Sequence, residues 1–216
     1  MTVLALVDLA AALASSEPRA GTTRVVAVDG PSGSGKTTLA RRLRRHLRCR
    51  SIHMDALYPG WDGLAAAPGL LVGGVLRPLA EGRPAAFRRW HWGEGRWAES
   101  HDVRPAPVLL VEGVGSGALA CAPYLSTLLW VEAPTDERFR RGMERDGDTY
   151  RPHWQRWAAQ EAVMFAADGT RGRADVVVDG ASTETHDPAT QVVLLAGAVG
   201  PPHQHHVARR TDGAKR

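Results

Sequence analysis

A glycine-rich segment between an apolar run and a helical pattern constrains this chain more than any other feature of its sequence. Residues 30–37, GPSGSGKT, match the pattern G-x-x-x-x-G-K-[ST] in full. The β-branched run 24–29 predicts a buried strand, and residues 37–48 predict a helix with leucines on one face. Glycines let a backbone wrap a phosphate with its N–H groups at the positive end of a helix dipole. The segment therefore predicts a nucleotide-binding site; the alternative is an ordinary Gly/Ser turn that caps a helix.

Two side chains of this segment have predicted roles of their own. Lys36 is expected to reach the β- and γ-phosphates of ATP, and the Thr37 hydroxyl is expected to bind Mg²⁺. Lysine occurs elsewhere only at Lys215, so Lys36 marks a position where an ammonium group is required in a chain that otherwise uses arginine. The predicted nucleotide-binding residues are Gly30, Ser32, Gly33, Ser34, Gly35, Lys36, Thr37 and Thr38.

Further apolar runs predict strands, and the charged segments between them predict helices. The strands are expected at 51–54, 108–111, 128–131 and 175–178, and the helices at 135–146, begun by a Thr135 cap, and at 151–167. Strands that alternate with helices predict an α/β fold. We expect a three-layer sandwich of the P-loop NTPase type, with about five parallel strands and helices on both faces. The run 191–199 is compatible with either a strand or a helix.

The length of 216 residues fits a single domain, which is predicted over residues 1–180. A stretch rich in Gly, Pro and Trp at about 60–104 is interpreted as a substrate-facing insert, and about 138–168 as a lid. Residues 181–216 form a polar extension whose end is expected to be disordered. Three histidines in that extension are interpreted as solvated and not metal-binding: His203, His205 and His206.

The composition excludes several classes of protein. Asparagine is absent, which excludes N-linked glycosylation and the Asn-Lys-x-Asp motif of GTPases. Cys49 and Cys121 lack C-x-x-C spacing, which argues against a disulfide scaffold or a zinc site. No run approaches the ~20 apolar residues of a membrane span, and the N-terminus lacks the basic start of a signal peptide, so a cytoplasmic protein is expected. Apolar residues at helical spacing predict a short amphipathic N-terminal helix instead: Leu4, Val7, Ala11 and Ala14.

Two carboxylates follow predicted strands, at the edge where ligands bind in open α/β sheets. Asp55 follows the second predicted strand and is a candidate to accept the proton of an attacking hydroxyl group. Glu112 follows the run 108–111 and is a candidate to hold Mg²⁺ through water. Each has a simpler interpretation, an Asx turn for Asp55 and a solvent-exposed strand end for Glu112.

The ordered series of motifs resembles the uridine kinase-like branch of P-loop nucleoside kinases, with uridine-cytidine kinase, phosphoribulokinase and pantothenate kinase among its members. The series is GPSGSGKTT, then Asp55 with Tyr58, then LLVEG, RRGMERDG and ADVVVDG, within residues 24–180. The resemblance implies an ATP-dependent transfer of the γ-phosphate to a hydroxyl of a small molecule, with a nucleoside as one candidate. It implies that Asp55 is the base and that lid arginines clamp the phosphates, first Arg141 and Arg145, then Arg138 and Arg151.

The lid arginines also have a physical rationale and a simpler alternative. Arg138, Arg141 and Arg145 lie at i, i+3 and i+7, so one helix face presents three guanidinium groups suited to phosphoryl oxygens. The alternative is a solvated basic face, paired with the acidic residues Asp136, Glu137 and Glu144.

The acceptor region departs from the family. His91 stands where these kinases often carry an acid, which argues against a uridine-like ribose because imidazole and carboxylate offer different hydrogen bonds. A cluster of tryptophans is able to stack a flat acceptor or to pack in the core: Trp61, Trp90, Trp92 and Trp97. The predicted substrate-binding residues are Asp55, Tyr58, Trp61, Trp90 and His91.

Two other functions stay open. The altered segment 90–92 is compatible with a nucleotide-binding regulator that has lost phosphate transfer. The arginines at 41–42 and 44–45 are compatible with nucleic-acid binding, although a solvated helix face explains them more simply. No membrane partner is expected. The acceptor, the choice between ATP and GTP, and the formation of a homo-oligomer are left open.

Overall fold

Apolar β-branched runs form the centre of the molecule, because a strand that is apolar on both faces must be covered on both sides. The computed structural model describes residues 1–197. In the strand Arg24–Asp29, Val25 and Ala27 pack into one core, while Val26 and Val28 pack into a second core on the opposite face. The fold is therefore a three-layer α/β sandwich, as the sequence predicts.

The described residues form strands β1 (Thr2–Ala5), β2 (Arg24–Asp29), β3 (Arg50–His53), β4 (Ala85–His91), β5 (Arg96–Val103), β6 (Val108–Glu112), β7 (Thr127–Glu132), β8 (Val176–Asp179) and β9 (Gln191–Ala196). Seven of them form one sheet in the order β1-β9-β8-β7-β2-β6-β3. The five strands from β8 to β3 are parallel, as predicted. β9 and β1 extend the sheet in antiparallel fashion, and β4 and β5 form a separate hairpin.

The helices are α1 (Leu6–Ser15), α2 (Lys36–Leu47), α3 (Ala67–Leu71), α4 (Arg77–Ala80), α5 (Thr135–Asp146) and α6 (Trp154–Asp168). A π-helical turn joins α3 to α4 over Val72–Leu76. Short 3₁₀ turns lie at Met54–Ala56, Leu64–Ala66, Ala122–Tyr124, Gly147–Thr149, Arg151–His153 and Thr170–Arg173. We call α5 and α6 the lid helices. None of the helices within residues 1–197 has the length and apolar character needed to cross a bilayer.

The N-terminal prediction is wrong in part. Residues 2–5 pair with β9 as a strand, with Leu4 opposite Val192, and the helix begins only at Leu6. The predicted face included Val7, which is 58% exposed. The buried face of α1 is Leu6, Leu9, Ala10 and Leu13, not Leu4, Val7, Ala11 and Ala14.

Two further local predictions are resolved by the structure. Residues 191–196 form β9, so the strand alternative for this run is correct. Thr135 is the first residue of α5 and makes no cap hydrogen bond, because Pro134 occupies the cap position. The expected disorder at the end of the extension, its three histidines and Lys215 lie outside the described residues.

Candidate functional site

A single cleft brings most of the predicted site residues together. It has a volume of about 1380 Å³, larger than the roughly 300–1,000 Å³ of a typical small-molecule pocket, so it has room for two ligands. The ends of β3, β6 and β8 contribute His53, Glu112 and Asp179 to its wall. The predicted residues that line it are Ser32, Gly33, Gly35, Lys36, Thr37, Thr38, Asp55, Tyr58, Trp61, Glu112, Arg141 and Arg145.

The phosphate loop, residues 30–36, has the backbone of an anion-binding turn. Gly35 has a φ of +102°, and no side chain of the described residues caps the helix that begins after it. The first N–H groups of α2 are therefore available to a bound anion. Gly33 has a φ of +78°, and a Cβ there would lie 2.3 Å from the carbonyl oxygen of Arg138. Glycine is thus required at both positions, and the loop fits the phosphates of a nucleotide.

Lys36 lies inside this loop with little solvent contact. Its Nζ donates a hydrogen bond to the Pro31 carbonyl oxygen at 2.9 Å. Burial lowers the pKa of Lys36, while the charges of Glu161, Asp29 and Glu112 oppose that shift. The ammonium group is therefore held among carboxylates, where an incoming phosphate offers it a stronger partner than a carbonyl.

Thr37 and Glu112 meet beside the loop. The Thr37 hydroxyl lies 3.3 Å from both carboxylate oxygens of Glu112, which is buried. His53 Nδ1 lies 2.5 Å from Glu112 Oε1, and this hydrogen bond raises the pKa of His53. Within residues 1–197, no cluster of three or more His, Cys, Asp or Glu residues is able to hold a metal alone. The pair fits an ion such as Mg²⁺, which takes its remaining ligands from phosphate and water.

Asp55 lies in the turn Met54–Ala56. Its side chain is exposed to the water that fills the cleft, and the protein walls of the cleft enclose both. This enclosure raises the pKa of the Asp55 carboxyl, and the charge of Glu112 raises it further, while Lys36 and Arg145 oppose the shift. Trp92 Nε1 donates a hydrogen bond to the main-chain carbonyl oxygen of Asp55 at 2.9 Å. Asp55 is thus an accessible carboxylate in a turn tied to the β4–β5 hairpin.

The aromatic wall beyond Asp55 is packed against itself. Tyr58 is buried, donates its hydroxyl hydrogen to the Val114 carbonyl oxygen at 2.9 Å and meets Trp157 edge-on. Trp61 stacks on His153 with ring centroids 4.3 Å apart. Tyr58 and Trp61 therefore shape the cleft. Trp157 of α6 and Tyr150, which precedes α6, supply further aromatic surface of its wall.

Two predicted substrate-binding residues do not line the cleft. Trp90 packs edge-on against Trp97 across the hairpin, with centroids 5.1 Å apart. His91 Nδ1 accepts the Glu94 main-chain N–H at 3.1 Å. Trp92 and Gly93 line the cleft instead, because the hairpin turn, and not the end of β4, faces it. Trp92 and Gly93 therefore form the part of the hairpin that lines the cleft, and the role of Trp90 and His91 in substrate binding stays a prediction.

The lid arginines have protein partners. Arg141 Nε donates to Glu137 at 2.7 Å, and its Nη1 donates to the Gly180 carbonyl oxygen at 2.9 Å. Arg145 pairs with Asp146 and lines the cleft. Arg151 lies in the turn between the lid helices.

Gly30 and Ser34 do not line the cleft. The Gly30 N–H donates to Asp29 Oδ1 at 2.6 Å. Ser34 is fully buried, and its hydroxyl has no partner among the described residues. Asp29 also accepts the N–H groups of Gly115 and Gly117, at 3.1 and 2.8 Å, so it ties the phosphate loop to the turn after β6.

Sequence reasoning misses two residues at the site, His53 and Glu161, and names Trp92 only as one member of the tryptophan cluster. His53 lies opposite Glu112 in the register of β3 and β6, so correct strand pairing is the signal that finds it. Trp92 lies in the tryptophan-rich run but depends on the hairpin turn. Glu161 contacts Ser32 across 129 residues, a contact with no local signal.

No protein-family model matches the sequence. The chain is 28% identical over 188 residues to a cytidylate kinase of Cereibacter sphaeroides, covering 80% of this chain and 82% of the relative. It is 26% identical over 179 residues to a cytidylate kinase of Ignicoccus hospitalis, covering 79% and 91%.

Solved structures resemble it as well. A possible uridine kinase from Bacillus stearothermophilus superposes with a TM-score of 0.59 at 20% identity, covering 80% of this chain and 96% of that one. A candidate fructose transport system kinase from Silicibacter sp. TM1040 has a TM-score of 0.54, also at 20% identity, covering 79% and 95%. The chain therefore shares the fold of these two structures.

Proposed function

We propose that this protein is an ATP-dependent phosphotransferase that moves the γ-phosphate of ATP to a hydroxyl group of a small molecule. One observation carries the proposal: a single cleft contains a phosphate loop, the Thr37–Glu112 pair and an accessible carboxylate, Asp55. The volume of about 1380 Å³ leaves space for an acceptor beside the nucleotide. The sequence similarity to cytidylate kinases agrees with phosphate transfer in general.

In the proposed reaction, the loop amides and Lys36 hold the phosphates of ATP, so that charge on the γ-phosphate is stabilised as it moves. The acceptor hydroxyl gives its proton to the Asp55 carboxylate, and its oxygen forms a new bond to the γ-phosphorus. The bond from that phosphorus to the β–γ bridging oxygen breaks, and ADP leaves. The raised pKa of Asp55 suits a base, because a more basic carboxylate accepts a proton more readily.

Thr37 and Glu112 are the residues that would hold Mg²⁺. The ion supplies charge neutralisation between the β- and γ-phosphates when bound. Arg141 and Arg145, on the lid helix α5, line the cleft and are paired with Glu137 and Asp146. Once released from these partners, both guanidinium groups are able to bind phosphoryl oxygens. Closure of the lid helices also excludes water, which limits ATP hydrolysis.

A second candidate is transfer to a phosphate group of a nucleoside monophosphate. The similarity to cytidylate kinases and the presence of Arg145 in the cleft with Asp55 favour it. The two candidates differ in the need for a base. A hydroxyl must lose a proton as it attacks, whereas an ionised phosphate has none to lose.

The test is ADP release by the wild-type protein and the Asp55→Asn variant over a panel of acceptors. The panel contains nucleosides, nucleoside monophosphates that include CMP, sugars, sugar phosphates and pantothenate-like alcohols. A hydroxyl acceptor is expected to stimulate the wild-type protein, and the Asn variant is expected to lose at least about 100-fold of that stimulation. ATP affinity should stay the same within about threefold.

The other outcomes are equally distinct. Stimulation by a nucleoside monophosphate that persists in Asp55→Asn supports the second candidate. Tight ATP binding without stimulation by any acceptor contradicts both candidates and favours a nucleotide-binding regulator.

A further inference from the structure

Glu161 is a buried carboxylate with no role in the proposed reaction. It lies in α6, is 3% exposed and approaches the phosphate loop from the lid side. Its Oε1 accepts the main-chain N–H of Ser32 at 2.8 Å and the Trp157 indole N–H at 2.9 Å. A side chain of the lid therefore holds a main-chain group of the loop directly.

The same part of the loop is held from a second direction by α5. Arg138 Nη1 donates to the Ser32 carbonyl oxygen at 3.3 Å and lies 3.9 Å from Glu161 Oε2. Arg141 Nη1 approaches the Gly33 carbonyl oxygen at 3.5 Å. Both lid helices thus bind polar groups of Ser32 and Gly33, although the contacting residues of these helices lie more than 100 positions further along the chain.

An ionised carboxylate is a costly way to fill this position. Burial of a charge is unfavourable unless it is paired, and the ion pairing here is long-range: Arg138 Nη1 lies 3.9 Å from Glu161 Oε2, and the charge of Glu161 also acts on Lys36, whose pKa it raises. Both hydrogen bonds that Glu161 accepts come from neutral donors. If this side chain served packing alone, an apolar residue would serve as well, so the arrangement indicates that its reach to Ser32 matters.

Ser32 precedes the part of the loop that wraps the phosphate. Gly33 and Gly35 have positive φ angles, so the loop tip depends on external contacts for a single conformation. A hydrogen bond at Ser32 fixes the start of this tip and sets the direction of the amides that follow. Contacts from the lid helices therefore help to set the positions of the loop amides that face a bound phosphate.

We propose that Glu161 is a positioning residue that couples the lid helices to the phosphate loop through the Ser32 N–H. The coupling deepens the proposed function, on which it rests for its role in turnover. Nucleotide binding tests it without an acceptor, so a protein that binds ATP but transfers no phosphate would contradict the proposed function and still decide this proposal.

The test compares two conservative variants that separate charge from reach. Glu161→Gln keeps the length of the side chain and an oxygen that accepts the Ser32 N–H, but has no charge. Glu161→Asp keeps the charge and is one methylene shorter, so it does not reach Ser32. Glu144→Gln, an exposed glutamate on α5, is the matched control. Thermal unfolding confirms that each variant is folded.

Two measurements are made on each variant: the Kd of ATP by calorimetry and amide hydrogen exchange of residues 30–38, with and without ATP. We expect the Asp variant to bind ATP about tenfold more weakly and to exchange the loop amides at least about tenfold faster, since a buried donor loses its partner. The Gln variant and the control should stay within about threefold of the wild-type protein in both. Wild-type behaviour of the Asp variant, or equal losses in the Asp and Gln variants, would overturn the proposal.

Discussion

The Thr37 hydroxyl lies 3.3 Å from each carboxylate oxygen of Glu112, although the two residues are 75 positions apart in the chain. The parallel pairing of β2 with β6 brings them together, because Val28, one residue before the end of β2, lies opposite Glu112. The turn of the phosphate loop then returns the chain to this edge at Thr37. The pair places a hydroxyl oxygen and two carboxylate oxygens together at the N-terminus of α2. Oxygen atoms of this kind are the ligands that Mg²⁺ takes in proteins.

Replacement of Glu112 by Gln should change the response of the protein to Mg²⁺. We expect the Mg²⁺ concentration needed for half-maximal ATP binding to rise at least about tenfold, because the amide removes the negative charge beside the ion. Calorimetric titrations of ATP at a series of Mg²⁺ concentrations measure this. Glu132→Gln, at the end of β7, which is separated from β6 by β2, and bound to Arg171, is the control and should leave the response unchanged. An unaltered Mg²⁺ response in Glu112→Gln would contradict the assignment of this residue.

Loss of the Lys36 ammonium group should abolish most nucleotide turnover. Lys36→Met preserves the length and burial of the side chain, and Lys36→Arg preserves the charge but brings a planar, bulkier group. Both should lower kcat/KM for ATP by at least about 100-fold, since the group that contacts the phosphates is lost or misplaced. Steady-state kinetics with the best acceptor measure the effect. Arg45→Met, exposed on the same helix, should stay within about threefold of the wild-type protein; an active Lys36→Met variant would refute the role of Lys36.

Trp92 should position Asp55 without contributing to nucleotide binding. Trp92→Phe removes the N–H that donates to the Asp55 carbonyl oxygen and keeps an aromatic ring in the cleft wall. We expect kcat to fall about three- to tenfold and the Kd of ATP to stay constant, because one neutral hydrogen bond contributes about 1 kcal/mol. Trp97→Phe is the matched control, since Trp97 packs against Trp90 within the hairpin. A change in ATP affinity with an unchanged kcat would contradict this positioning role.

Protonation of Asp29 should appear in the pH dependence of stability. Burial raises the pKa of Asp29 from 3.8 to about 6, although the N–H groups of Gly117, Gly30 and Gly115 oppose the shift. A folded-state pKa above the unfolded value means that this contribution to the free energy of unfolding is fully present below about pH 4. It is lost as the pH rises through about 6.

The size of this loss is about 3 kcal/mol, from the conversion of a pKa shift into free energy. Urea unfolding at pH 4 to 8 of the wild-type protein and Asp29→Asn measures it as the pH dependence of the difference between the two proteins. The wild-type protein should lose stability relative to the variant as the pH rises. A constant difference would show that the hydrogen bonds to Asp29 balance the effect of its burial, and a difference that changes in the opposite direction with pH would show that they outweigh it.

The parts of this molecule that follow from local sequence could be predicted. β2, the phosphate loop and α2 are contiguous, and their glycines and leucine spacing indicate the order of strand, loop and helix before any distant contact is known. The five parallel strands follow from apolar runs that are buried on both faces. The edge strand β1 was harder to predict from the sequence, because residues 2–5 form a strand only by pairing with β9, at the other end of the described chain.

The parts of the site that depend on long-range geometry could not be predicted. The contact of His53 with Glu112 depends on the register between β3 and β6. The choice of Trp92 over Trp90 depends on which part of the hairpin faces the cleft. Glu161 reaches Ser32 only because α6 packs over the phosphate loop, and its polarity in α6 gives no indication of that partner.

The account depends most on Asp55 as the group that activates an acceptor hydroxyl opposite the γ-phosphate. ³¹P NMR of reactions with ATP and the best acceptor tests this most directly, because it identifies the product that carries the transferred phosphate. With the wild-type protein, a phosphomonoester resonance should grow as ATP is converted to ADP, and Asp55→Asn should bind ATP normally but form at least about 100-fold less of this product. If wild-type protein forms only inorganic phosphate, or if Asp55→Asn forms the phosphomonoester at the wild-type rate, the proposed role of Asp55 is wrong.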